Sequence, residues 1–168
     1  LIITDLDAVE KPGGKACAVH LGTYSSNACL KAWYSEDDPF TLAGLLAKKD
    51  AGKVLNGNRI AYQRAEKEGD PCGRTFEDAF ILANPKLFGL TEKTPNGLEL
   101  EARSKAEEWK KSEFALKHAI AETEWLAPAY IVEGVRWLAR GDVVAPDPAL
   151  TLVMEAAVAP VEEDGGHA

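Results

Sequence analysis

Two acids two positions apart, Asp5 and Asp7, follow an apolar, β-branched run, Leu1-Ile2-Ile3-Thr4. Such a run reads as a buried strand, most readily in a parallel sheet. In open α/β sheets, chemistry collects beyond the carboxyl ends of the strands. Two carboxylates crowded into one small volume repel. A hard divalent cation relieves that repulsion by taking their oxygens. A Mg²⁺ or Mn²⁺ site at Asp5 and Asp7 is one expectation; an Asp-rich turn with no further role is the other.

A second acidic pair, Glu77-Asp78, lies in Gly73-Arg74-Thr75-Phe76-Glu77-Asp78-Ala79-Phe80. Thr75 and Asp78 have the spacing of a capping box, and acids suit the first turn of a helix. Asp78 is thus divided between cap and metal ligand. Glu77 is not needed by the cap and is the freer candidate. A carboxylate at a helix start, opposite a strand-end DxD, allows a second ion. Two ions roughly 4 Å apart clamp the attacking and leaving oxygens of a phosphodiester. A third feature is Trp109-Lys110-Lys111-Ser112-Glu113-Phe114-Ala115-Leu116-Lys117-His118. Helical spacing puts Lys111, Ala115 and His118 on one face. Lys111 is then either part of a solvated basic face or a cation for a dianionic transition state.

The elements that must position these groups alternate between short strands and helices, an α/β pattern with a mostly parallel sheet. After Asp7, Pro12-Gly13-Gly14 marks a loop, and 16–20 reads as a short strand. Ser25 or Ser26 is placed to cap a helix over 27–34. A second helix over 40–49 is entered through Asp37-Asp38-Pro39 and ends in Lys48-Lys49. Asn56-Gly57-Asn58 is a turn, and 59–63 a strand with Ile60 and Tyr62 on one face. The apolar spacing of Phe76, Ala79, Phe80 and Ala83 predicts a helix over 75–83. A long charged helical region spans 98–124, with Trp109, Phe114, Leu116 and Ile120 as its buried side. A helix over 130–139 follows Pro128. A last element is expected over 150–158 and disorder over 162–168. The division is a domain over 1–140, including the helical segment 98–140, and a Pro- and acid-rich tail over 141–168.

Composition bounds the function. The chain has 168 residues, 46% hydrophobic and 27% charged, which suffices for one globular domain with a core. No apolar run approaches membrane-spanning length, so no membrane partner is expected. The start has no basic, cleavable leader and no initiator Met, as in a piece of a longer chain. A net charge of −8 argues against a protein that binds nucleic acid with its whole surface. It leaves room for an acidic site that meets phosphate through a metal. Cys17, Cys29 and Cys72 form no zinc spacing with His20, His118 and His167. Reduced thiols in a cytoplasmic protein are the expectation.

Ile2-Ile3-Thr4-Asp5-Leu6-Asp7-Ala8-Val9 resembles the DxD strand of Toprim domains. More specifically, the chain resembles the C-terminal Toprim nuclease region of the OLD (overcoming lysogenization defect) family, whose members join an ABC-type ATPase to this nuclease. The resemblance also includes Gly22-Thr23, Ser26-Asn27-Ala28, Arg59-Ile60-Ala61-Tyr62-Gln63 and Gly73 to Phe80. It continues through Leu82-Ala83-Asn84, Lys110 to Ala115, Tyr130-Ile131-Val132-Glu133-Gly134 and Trp137-Leu138. It covers roughly 1–140 in the family's order. It implies a Rossmann-like Toprim sheet flanked by helices, with an added helical segment toward the C-terminus. It also implies a DNA endonuclease or nickase that uses two Mg²⁺ or Mn²⁺ ions. By the resemblance, Asp5 and Asp7 hold the first ion, Glu77 and Asp78 lie near the second, and Lys111 steadies the transition state. The implied partners are DNA, the ATPase part of the same parent chain and a second copy in a homodimer. Phage defence is the family's association.

The family's Glu on a strand upstream of DxD has no counterpart in this sequence. Glu133 imitates that motif, but it falls in the wrong order and on a helical spacing. Weak metal binding and slow DNA cleavage are therefore expected of this chain by itself. Two other readings stay open. Asp5-Leu6-Asp7-Ala8-Val9 also fits the opening of haloacid-dehalogenase-type phosphatases, with Asp5 as nucleophile and Asp7 as acid/base. There Gly141-Asp142 and Asp147 would stand for the late acidic motif. The non-enzymatic reading is a degenerate Toprim-like domain that uses Leu42, Leu45 and Leu46 for assembly.

Overall fold

The computed structural model describes residues 1–121 and 124–141. The element expected over 150–158, the tail, and Asp142 and Asp147 lie outside these residues. The described fold mixes α and β in two small sheets. Strand β1 (Ile2–Ile3) pairs in parallel with β5 (Asn58–Ala61), bringing Ile2 opposite Ile60 and Ile3 opposite Ala61. The Thr4 N–H extends this ladder to Ala61 O at 3.0 Å. Strand β4 (Val54–Leu55) completes the sheet antiparallel to β5, in the order β1-β5-β4. Strands β2 (Ala8–Val9) and β3 (Tyr24–Ser25) form a separate antiparallel pair.

The sheets therefore depart from the mostly parallel expectation: one of the three pairings is parallel. Chain connection explains this. Asn56 and Gly57 adopt φ 49° and 70°, the left-handed pair of a two-residue hairpin turn, which forces β4 and β5 antiparallel. The long stretch between β1 and β5 leaves ample room for a crossover. The expectation of a buried first strand also fails. Ile2 and Ile3 are 37% and 47% exposed, because β1 is an edge strand. The strand expected over 16–20 reduces to a bridge between Ala16 and Val9, followed by a 3₁₀ turn over Val19–Leu21.

Helix α1 (Ala28–Trp33) is capped by Asn27, whose side chain accepts the Leu30 N–H. Neither Ser25 nor Ser26 caps it: the Ser25 hydroxyl donates to Leu6 O at 2.7 Å and that of Ser26 to Asp7 O at 3.2 Å. Helix α2 (Leu42–Ala47) is capped by Thr41. One core joins Leu6, Leu30, Leu42, Leu45, Ile60 and Tyr62, so the strand face carrying Ile60 and Tyr62 is buried as expected. Leu42 and Leu45 are spent in this core, which removes them from an assembly surface.

Helix α3 (Phe76–Ala83) begins with the full Thr75–Asp78 capping box. Its Ala79 faces Ala61 and Tyr130, while Phe80 and Ile81 enter a second core with Ala102, Ala106 and Phe114. Helix α4 (Pro95–Glu107), with Pro95 in its first turn, packs on α3. On α4 the buried Glu99 carboxylate accepts the Val19 and His20 N–H groups and pairs with the His20 ring. The long helix expected over 98–124 is broken after α4. It resumes as α5 (Lys111–Phe114) and continues in wide π turns over Ala115–Ala121. The wider turns rotate the apolar face. Phe114 is buried, but Leu116 and Ile120 are 61% and 70% exposed. His118 turns inward instead, among Phe88, Trp109 and Phe114. Helix α6 (Ala129–Ala139) lies close on β5. A Cβ at Gly134 would stand 3.0 Å from Leu1 Cδ1 and 3.3 Å from the Ala61 Cβ. No helix of the described residues is long and apolar enough to cross a membrane.

Gly73 sets the approach to α3. A Cβ there would sit 2.5 Å from Ala79 N and 2.8 Å from Ala79 Cα, both backbone atoms of α3. Backbone cannot swing aside as a side chain can. Gly73→Ala is expected to destabilise the fold by about 1–3 kcal/mol, read as a lower urea midpoint at unchanged slope.

Candidate active site

The chain leaves β1 at Thr4 and passes Asp5 and Asp7 around the carboxyl end of the β1–β5 pair. The polar groups that hold this turn come from three other elements. Gln63, two residues beyond β5 and fully buried, accepts the Leu6 N–H at 2.5 Å. Its Nε2 donates to Asp5 Oδ1 at 2.7 Å and to the Tyr130 hydroxyl of α6 at 3.3 Å. Asn27, at the start of α1, directs Nδ2 at Thr4 Oγ1, Asp5 O and Asp7 Oδ2, at 3.0, 2.8 and 3.2 Å. Arg74, ahead of α3, accepts the Asp7 N–H at its carbonyl, 3.1 Å away. Its Nη2 pairs with Asp7 Oδ1 at 3.0 Å. The Asp7 backbone has φ 50°, a left-handed conformation that Asp and Asn reach more easily than other side chains.

Two openings flank the first turn of α3. Asp5, Asp7, Asn27, Phe76 and Tyr130 line one, of about 400 Å³. Arg74, Glu77, Asp78, Arg103, Trp109 and Lys111 line the other, of about 210 Å³. The electrostatics of Asp5 tie the two together. Burial pushes its carboxyl above the usual range, the Gln63 hydrogen bond opposes this, Asp7 and Glu77 push it further up, and Lys111 pulls it down. The fold thus brings three of the other four predicted residues, Asp7, Glu77 and Lys111, within electrostatic reach of Asp5.

Asp78 divides differently. Its Oδ2 accepts the Arg74 and Thr75 N–H groups at 3.1 and 3.3 Å, so that oxygen belongs to the cap. Burial also raises its carboxyl. Glu77, buried to 8% exposure, is left outside the cap. Lys111 opens α5 on the exposed side. His118 does not share its face and lies in the aromatic cluster. Glu133 is helical and pairs with Arg64, away from the acids, as its spacing indicated.

The chain matches no family model, no curated protein and no solved structure. The geometry alone therefore carries the reading. Among the described residues, no three His, Cys, Asp or Glu groups form a ready-made metal cluster. The donor set is nevertheless that of a hard cation: carboxylate oxygens, with Asp7 and Glu77 both raising the cost of ionising Asp5. Arg74 supplies part of the missing positive charge at Asp7. Gln63, Asn27, Arg74 and Tyr130 carry no site role in the motif reading. Their one sequence signal is local: a Gln closing an apolar strand, an Asn ahead of a helix, and an Arg ahead of a cap.

A raised carboxyl pKa has a definite sign. Between the unfolded and folded values, the native Asp5 binds more protons than the unfolded chain, so stability falls as pH climbs through that interval. In a chelator, Asp5→Asn should therefore melt higher than the wild type at neutral pH. The gain should vanish once the pH falls below the ordinary carboxylate range. Thermal melts across pH check this; an Asn variant that is less stable at neutral pH would contradict it.

Proposed function

We propose that this chain is a Toprim-type nuclease domain that hydrolyses DNA phosphodiester bonds with Mg²⁺ or Mn²⁺. One observation carries the reading: Asp7, Glu77 and Lys111, drawn from three stretches of the chain, all act electrostatically on Asp5, beyond the carboxyl end of a parallel strand pair. Two acids on one opening, and an acid and a lysine on the opening beside it, match the needs of a phosphodiester, which must be approached through its negative charge.

Asp5 and Asp7 are the residues that would hold a first ion; Glu77, on the neighbouring opening, would serve a second, with the half of Asp78 not used by its cap a lesser contributor. The metal supplies charge neutralisation and an activated water. Asn27 and Gln63 fix the carboxylates: each donates to a carboxylate oxygen and binds the backbone of the same turn. Lys111 lies across from them with its ammonium free to meet the charge gathering on the phosphate oxygens. Tyr130 stays protonated, because burial raises its hydroxyl far above neutral pH. It acts as a positioning group, through Gln63. In this reading the substrate is DNA, the domain is joined in its parent to an OLD-type ATPase part, and two copies pair.

The test is supercoiled plasmid with Mn²⁺, alongside calorimetric titration of Mn²⁺ alone. Slow, metal-dependent nicking is expected. Asp5→Asn and Glu77→Gln should each weaken Mn²⁺ binding by at least about tenfold, the usual cost of losing even a supporting group at a metal site. Lys111→Ala should lower the nicking rate and leave Mn²⁺ affinity unchanged. Because Asp5→Asn is expected to stabilise the fold, its loss of activity cannot be unfolding. Nicking that survives both acid variants would overturn the nuclease reading. Turnover of a phosphomonoester that Asp5→Asn abolishes would replace it with the phosphatase.

A further inference from the structure

At the far end of α6, a second cleft of about 350 Å³ opens between that helix and the β4–β5 hairpin. Its walls carry three guanidinium groups, Arg59, Arg136 and Arg140, against two carboxylates, Asp50 and Glu133, with the Trp137 ring beside them. This is a local basic excess on a chain of net charge −8. Arg59 is the anchor. It is 3% exposed, it projects from the middle of the sheet, and its Nε has no hydrogen-bond partner. A buried guanidinium N–H without an acceptor costs free energy until one arrives.

The two acids do not complete Arg59. Glu133 is bound to Arg64 and stands 4.0 Å from Arg59 Nη2. Asp50 takes Arg59 Nη2 at 2.7 Å, but its side chain is 77% exposed. It holds one corner of the fork from the solvent side and leaves Nε unmet. The carboxylate marks where a planar or tetrahedral oxyanion sits on a guanidinium. Nearby, the Lys53 ammonium is held below its usual range by burial. Glu133 opposes that shift, and Arg59 and Arg64 reinforce it.

We propose that this cleft binds the phosphoryl group of a nucleotide, with Arg59, Arg136 and Arg140 on the phosphate oxygens and Trp137 stacked on the base. Three guanidiniums lining one cleft suit a phosphate better than a single carboxylate, and an indole on the same wall suits an aromatic base. The nucleotide is either free or one unit of a strand. The site requires no metal and shares no residue with the carboxylate cluster, so it stands or falls separately from the nuclease reading.

Titration calorimetry in a chelator tests it, with inorganic phosphate, adenosine monophosphate and a short single-stranded oligonucleotide as probes. Adenosine monophosphate is expected to bind more tightly than phosphate, and Trp137→Leu to erase that difference. The double variant Arg136→Ala/Arg140→Ala alters exposed positions only. It should melt like the wild type and bind adenosine monophosphate at least about tenfold more weakly. Asp50→Ala should bind it more tightly, which a merely structural Arg59–Asp50 pair would not predict. Asp5→Asn should bind as the wild type does. An oligonucleotide that outcompetes the mononucleotide, with a steep salt dependence, assigns the site to a strand. The reverse assigns it to the free nucleotide. Silence from all three probes, or an affinity that the double arginine variant leaves unchanged, overturns the proposal.

Discussion

The Gln63 carboxamide is the joint on which the described fold turns. It is fully buried, and its three hydrogen bonds reach two separate parts of the chain: the Leu6 N–H and Asp5 carboxylate of one turn, and the Tyr130 hydroxyl of α6. A buried amide is tolerable only when its donors and acceptors are met, and here both ends are engaged. Its oxygen holds the backbone after Asp5 and its nitrogen holds the Asp5 side chain. The direction of the carboxylate is therefore fixed by the strand next door, not by the loop that carries it. Tyr130 then transmits the same constraint to α6. Any relaxation of β5 would move the acid, the turn and the helix together.

That constraint has an electrostatic cost that the fold meets only in part. Asp5 is half-buried, near Asp7 and Glu77, and its carboxyl resists ionisation as a result. Arg74 neutralises Asp7 and also ties its guanidinium to Ala8 O at 3.1 Å, so one cation serves both the charge and the backbone. Glu77 has no such partner in the cap, although it is almost as buried as Asp78. Acids held this way by rigid neighbours store the repulsion that a ligand of opposite charge would release. An interior chosen for stability alone would have placed apolar groups there.

Local chemistry was legible in the sequence where the signal and the structure live on the same few residues. The Thr75–Asp78 box, the Asn56-Gly57 turn and the apolar face of α3 are each set within one turn of chain, and all three form as read. Asp5 and Asp7 were placed correctly at a strand end because the β-branched run before them is continuous. What failed depends on distant partners. Whether a strand pairs parallel or antiparallel is decided by the connection, and the two-residue turn at Asn56 outweighed the α/β pattern. Leu116 and Ile120 read as buried under a uniform helical period, but the π turns after Phe114 shift that period and expose them. Gln63 and Asn27 looked like ordinary polar residues at element ends. Their roles come from approaches across 58 and 20 positions of sequence, which no spacing rule contains.

The two charged regions lie at opposite ends of one helix. Tyr130 lies near the amino end of α6, beside the acids, and Arg140 just beyond its carboxyl end, beside the basic cleft. Ten residues of helix separate them by about 15 Å. The Debye length at physiological salt is about 8 Å, so charges facing solvent at the two ends scarcely feel one another. A negative total is then no guide to the potential at either place. The arginines sit at the helix carboxyl end, where the macrodipole favours cations. The same helix thus holds Arg136 and Arg140 at the end away from the acids, on a rigid element. A phosphate at the arginines and a cation at the acids would each relieve a different local excess. Neither has to overcome the field of the other.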